Sequence, residues 1–145
     1  IFAGGSVISR AHQATDTEED SYEAAGGATF SLGPVSVGGQ VSGVYTGEET
    51  DNNYHSYQSG AYGVSFNVND DLSVSYGKHK SRKAGYTANT AALGPNNLFV
   101  EVTSVQAAYT MGGASVRVAS SSANNVGWSA GKDQDTTTLS LSLAF

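Results

Sequence analysis

Residues 59–76 read SGAYGVSFNVNDDLSVSY, and they decide the fold. Tyr62, Val64, Phe66 and Val68 alternate with small or polar residues, and Leu72, Val74 and Tyr76 do so again after a polar interruption. Side chains of a strand point alternately to opposite faces, so a period of two sets one apolar face against one polar face. Asn69, Asp70 and Asp71 between them accept turn conformations and bond their own backbone, and the stretch predicts a hairpin.

The same unit recurs on both sides. Upstream, Tyr22, Ala24, Gly26, Ala28, Phe30 and Leu32 alternate into a turn at Gly33 and Pro34, and Val35, Val37, Gly39, Val41, Gly43 and Tyr45 lead out. Downstream, Val105, Ala107 and Tyr109 enter a turn at Met111, Gly112 and Gly113, and Ala114, Val116 and Val118 leave it. Leu139, Leu141, Leu143 and Phe145 close the series. Longer polar segments lie at about 11–20, 47–57, 83–97 and 125–133, so short and long connections alternate.

With a first strand near 1–10, this pattern predicts eight strands of about 10 to 12 residues each. At about 3.3 Å per residue and a tilt near 45°, such strands span roughly 25 Å, the height of the apolar band of outer-membrane barrels. A soluble sandwich has no reason to keep every second connection tight, whereas membrane barrels have short turns at one end and long loops at the other. The expected fold is therefore all-β: one domain over residues 1–145, a transmembrane antiparallel up-and-down β-barrel with both chain ends on the short-turn side.

Composition fits that reading. The 145 residues include 18 Gly, and only 39% are hydrophobic, yet the apolar residues are patterned rather than scattered. No run of about 18 apolar residues is present, which excludes a transmembrane helix but not a barrel. The net charge of −6 with seven Lys and Arg disfavours nucleic acid. Cysteine is absent, which removes disulfides and thiolate metal sites. Asp16, Glu18, Glu19, Asp20, Glu48, Glu49, Asp51 and Asp133 all fall in the predicted loops.

Parity assigns the faces. Phe30, Tyr45, Phe66, Tyr109 and Phe145 sit near strand ends on the apolar side, as an aromatic girdle at a membrane interface would, although aromatics are also ordinary strand residues. The opposite face would line an aqueous lumen with Glu23, Gln40, Asn67, Ser73, Ser75, His79, Arg117, Thr138, Ser140 and Ser142. Arg117 is the most telling of these, because a cation placed mid-strand between Val116 and Val118 must face water or cost several kcal/mol in lipid. Lys78, Lys80 and Arg82 share parity with the apolar set. Either a bulge switches register there, or the strand has left the membrane and Lys83 and Gly85 open a long loop; the second reading is preferred.

The segments GVSFNVNDDLSVSYGKHKSRKAG (63–85), SVQAAYTMGGASVRVA (104–119) and TTTLSLSLAF (136–145) resemble the C-terminal part of Gram-negative general porins of alphaproteobacterial type, over roughly residues 20–145. The resemblance implies an integral protein of the bacterial outer membrane, a homotrimer of sixteen-stranded barrels that passes small hydrophilic solutes and ions by passive diffusion, with no catalysis and no cofactor. Leu139, Leu141, Leu143 and Phe145 resemble the family's signal to the barrel-assembly machinery. Membrane lipid and lipopolysaccharide are the implied partners. Eight strands are half the family's number, no segment is long enough for its constriction loop, and the chain opens at Ile1 without a signal segment. Residues beyond those given are therefore expected, since eight strands cut from a larger barrel leave two unpaired edges.

Other motifs are weaker. Gly127-Trp128-Ser129-Ala130-Gly131 matches G-x-S-x-G, but that motif needs a following helix and a later His, and no His follows Ser129. The adjoining Gly131-Lys132-Asp133 misses the phosphate-loop spacing. His12, His55 and His79 lack metal-ligand spacing. The acidic run from Asp16 to Asp20 is a candidate for loop-bound Ca²⁺, without the EF-hand spacing. An alternative function is a small closed eight-stranded barrel serving as an adhesin or structural anchor, and a distant third is an enzyme on a soluble β-sandwich.

Overall fold

The alternation becomes strands in a computed structural model that describes residues 1–10, 20–47, 54–85 and 98–143. Eight strands form one antiparallel sheet: β1 (Phe2–Arg10), β2 (Ser21–Leu32), β3 (Val35–Tyr45), β4 (Tyr54–Asn67), β5 (Leu72–Gly85), β6 (Val100–Met111), β7 (Ala114–Asn124) and β8 (Gln134–Leu143). Each pairs with its sequence neighbours in the order β1 to β8, a simple up-and-down meander.

The short connections follow from local chemistry. Gly33 (φ 57°) and Gly112 (φ 58°) each open a two-residue turn with positive φ, which costs a side-chain-bearing residue about 1–2 kcal/mol and glycine nothing. Between β4 and β5, Asn69 Oδ1 accepts the backbone N–H of Asp71 (2.9 Å) and of Leu72 (2.8 Å). Adjacent hairpins are tied at this end, where Asn67 N–H donates to Pro34 O (2.9 Å) and Thr110 N–H to Asp71 O (2.8 Å).

Three expectations need correction. Residues 54–57 are strand rather than loop, because β4 begins at Tyr54. Lys83 and Gly85 do not open a loop: β5 runs through Gly85, with Lys83 opposite Tyr57. No bulge re-aims the cations of β5 either. The one register shift between β4 and β5 lies at Tyr54/Ser56, and Lys78, Lys80 and Arg82 stay in step with Tyr62, Gly60 and Gln58. Backbone pairing continues through this segment and outweighs its charge pattern. The described sheet is open: β1 and β8 each pair on one side only.

Among the described residues no hydrophobic side chain is buried. Leu139, Leu141 and Leu143 are 75%, 65% and 52% exposed. A sheet is stable when its apolar face is covered, and burying one such side chain is worth about 1.5–3 kcal/mol. Among the described residues this sheet carries its apolar face uncovered.

Candidate functional site

Register converts parity into two mapped surfaces. On the apolar face, Leu32, Val35, Phe66, Val74, Ala107, Val118 and Leu139 form one continuous row across β2 to β8. A neighbouring row holds Leu72, Tyr109, Val116 and Leu141. Both rows lie towards the short turns.

The opposite face is rich in small hydroxyl residues across β2 to β8, with Phe2 and Ile8 of β1 among its apolar members. Ser31, Ser36, Ser65, Ser75, Gln106, Ala119 and Thr138 make one row, directly opposed strand by strand. Cross-strand hydroxyl pairs bind this face together: Ser31 with Ser36 (2.7 Å), Ser59 with Ser81 (3.1 Å), Ser121 with Ser104 (3.0 Å) and Thr110 with Ser115 (3.3 Å). Such pairs each contribute a few tenths of a kcal/mol or more to strand pairing.

Every residue expected on the polar side falls on this hydroxyl face. Glu23, Gln40, Asn67, Ser73, Ser75 and His79 occupy its β2 to β5 portion, and Arg117, Thr138, Ser140 and Ser142 its β7 and β8 portion. Arg117 stands between Ala108 of β6 and Ser140 of β8. Phe30, Tyr45, Phe66 and Tyr109 fall on the apolar face, where Tyr22 and Tyr45 stack with centroids 5.0 Å apart. Phe145, His12, Glu48, Glu49 and Asp51 lie outside the described residues, as does the acidic run apart from Asp20. Among the described residues no group of His, Cys, Asp or Glu could hold a metal ion.

Charge is concentrated on β5. Four of the seven basic residues fall within 78–83, and Lys78, Lys80 and Arg82 project from the apolar face at its long-loop end. Glu101 of β6 bridges the first two, with Lys78 Nζ at 2.8 Å. Gln58 Oε1 accepts from Nε and Nη2 of Arg82 at 2.9 and 2.6 Å.

Compared with known protein families, curated proteins and solved structures, the chain matches none.

A feature that sequence reasoning missed lies at the long-loop end of the hydroxyl face. Between β7 and β8 the chain makes one 3-10 turn, Val126–Trp128, and folds back so that Trp128 meets Tyr57 of β4 (centroids 5.7 Å) and Lys83 of β5 (Nζ 5.3 Å from the indole). Its indole N–H donates to Ser81 O at 3.2 Å, and Ser81 is the one buried polar residue among those described. Asn125 (φ 55°) and Trp128 (φ 56°) hold left-handed backbone, a strained arrangement for residues with side chains. Bonds from Asn125 N–H to Asp133 Oδ1, from Gly131 N–H to Asn125 Oδ1 and from Val126 N–H to Lys132 O offset that cost. The segment carrying Ser129 is followed by β8 rather than by a helix.

Proposed function

We propose that this sheet is an arc of a closed transmembrane β-barrel, the porin of a bacterial outer membrane, in which the apolar face meets lipid and the hydroxyl face lines a water-filled channel. One observation carries the reading. The register puts Leu139, Leu141 and Leu143 wholly on one uncovered face and Arg117, Thr138, Ser140 and Ser142 wholly on the other. Lipid is the cover that an exposed apolar sheet face with no partner layer calls for, and closure into a barrel removes the unpaired edges of β1 and β8.

Transport follows from the second face. Small hydroxyl side chains leave room for water, and their donors and acceptors replace part of a solute's hydration shell, so small hydrophilic solutes and ions pass down their gradients without chemistry. The same small side chains argue against the plugged barrel of an adhesin or anchor, whose interior is filled by larger groups. A homotrimer assembled by the barrel-assembly machinery, in contact with lipopolysaccharide, completes the proposal.

Planar-bilayer recording on the full chain tests it. Stepwise, ohmic currents from detergent-folded protein are expected. A folded chain that stays soluble and monomeric without detergent, and that gives no currents, overturns the reading.

A further inference from the structure

Across the apolar face, Gly26 of β2, Val41 of β3, Gly60 of β4 and Lys80 of β5 are direct neighbours in one row, and Gly43, Gln58 and Arg82 follow one another in the next. Together they shape a groove of about 500 Å³ that ends against the two cations and Phe99, over whose ring Lys80 Nζ sits at 5.8 Å. The sheet itself does not require glycine here. A Cβ at Gly26, Gly43 or Gly60 would meet nothing nearer than 3.8 Å, whereas on the hydroxyl face one at Gly27 would meet Gly39 O at 2.9 Å. Glycine inside a strand costs roughly 0.5–1 kcal/mol relative to alanine, so a floor that none of the described residues fills marks the approach of something else.

The charge says what approaches. Lys78, Lys80 and Arg82 against Glu101 leave two positive charges in excess, within a chain of net charge −6. A second copy of this face offers little in return, since its strands carry Glu101, already held by its own lysines, and Asp135. We propose that the groove docks a phosphorylated membrane lipid, its phosphate on Lys80 and Arg82 and an acyl chain laid over Gly60, Val41 and Gly26. Lys supplies a point charge and Arg, pinned by Gln58, a planar fork, the two forms of phosphate recognition. The inference rests on the membrane reading above and specifies one lipid partner within it.

The test is native mass spectrometry of the full chain folded in detergent, offered equal amounts of phosphatidic acid and phosphatidylcholine, beside bilayer recording on the same preparation. Selective retention of phosphatidic acid is expected. It should fall by about tenfold or more in Lys80→Gln/Arg82→Gln. A similar loss is expected in Gly60→Leu, which keeps the charges and fills the floor. Arg117→Gln, on the opposite face, should retain the lipid unchanged. Equal loss in Arg117→Gln, no loss in the double variant, or displacement of the lipid by equimolar inorganic phosphate would each overturn the proposal. So would oligomers that lose stability in the double variant while holding no lipid, which would put a neighbouring copy in the groove. No preference for phosphatidic acid in the unsubstituted chain, with conductance intact, defeats the groove alone, whereas absence of conductance in every variant and in the unsubstituted chain defeats the channel.

Discussion

The indole N–H of Trp128, between β7 and β8, donates to the carbonyl oxygen of Ser81 in β5, 47 residues earlier in the chain. That bond draws a loop back across β6 onto the long-loop end of the hydroxyl face, against Tyr57 and Lys83. On the channel reading the loop narrows the mouth. Trp128→Ala is therefore expected to raise single-channel conductance, and Trp128→Phe, which keeps the stacking and loses the N–H, to raise it less. Trp128 is the one tryptophan in the chain, so its emission reports the same contact, and Lys83→Ala is expected to shift it.

Arg117 carries the next prediction. It is the cation of the hydroxyl face in β7, flanked by Ala108 and Ser140. Arg117→Glu reverses a charge beside the proposed ion path, so the reversal potential in a salt gradient should move towards cation preference. An unchanged potential would place Arg117 away from that path.

Parity itself can be tested by two neighbouring lysines. Leu139→Lys puts an ammonium on the apolar face at the middle of β8 and is expected to cost about 2–4 kcal/mol of stability in lipid. Ser140→Lys puts the same group on the hydroxyl face and should cost under about 1 kcal/mol, the usual range for a solvated substitution. Urea unfolding from phosphatidylcholine vesicles measures both, and equal costs would refute the assignment of faces.

The tight turns give a prediction independent of function. Gly112 has φ 58° and nothing within 4 Å of an added Cβ, so Gly112→Val is penalised by backbone conformation alone. The expected loss is about 1–2 kcal/mol, with Gly113→Val costing less because it lacks positive φ. Urea midpoints at constant slope measure the difference.

Much of this was legible in the residues. The run from Tyr62 to Tyr76 is a clean period of two interrupted by Asn69 to Asp71, and it fell where β4, its turn and β5 lie. Signals of charge were less reliable guides to strand ends: the basic run 78–83 suggested an exit into a loop, yet backbone pairing with Tyr57 to Tyr62 holds it in the sheet. The Trp128 contact had no local signal, because its partners lie far off in sequence and on different strands.

Alternation together with the short turns determined that the chain forms antiparallel strands with one greasy and one hydroxyl-rich side, since a strand's side-chain period and a tight turn are local properties of the backbone. Only the tertiary structure decided which residues became neighbours across strands: the Lys78–Glu101–Lys80 bridge, the glycine floor beside Arg82 and the seat of Trp128 on Ser81. Those depend on register, which is set by the pairing of whole strands and by turn lengths together, and no single segment carries that information.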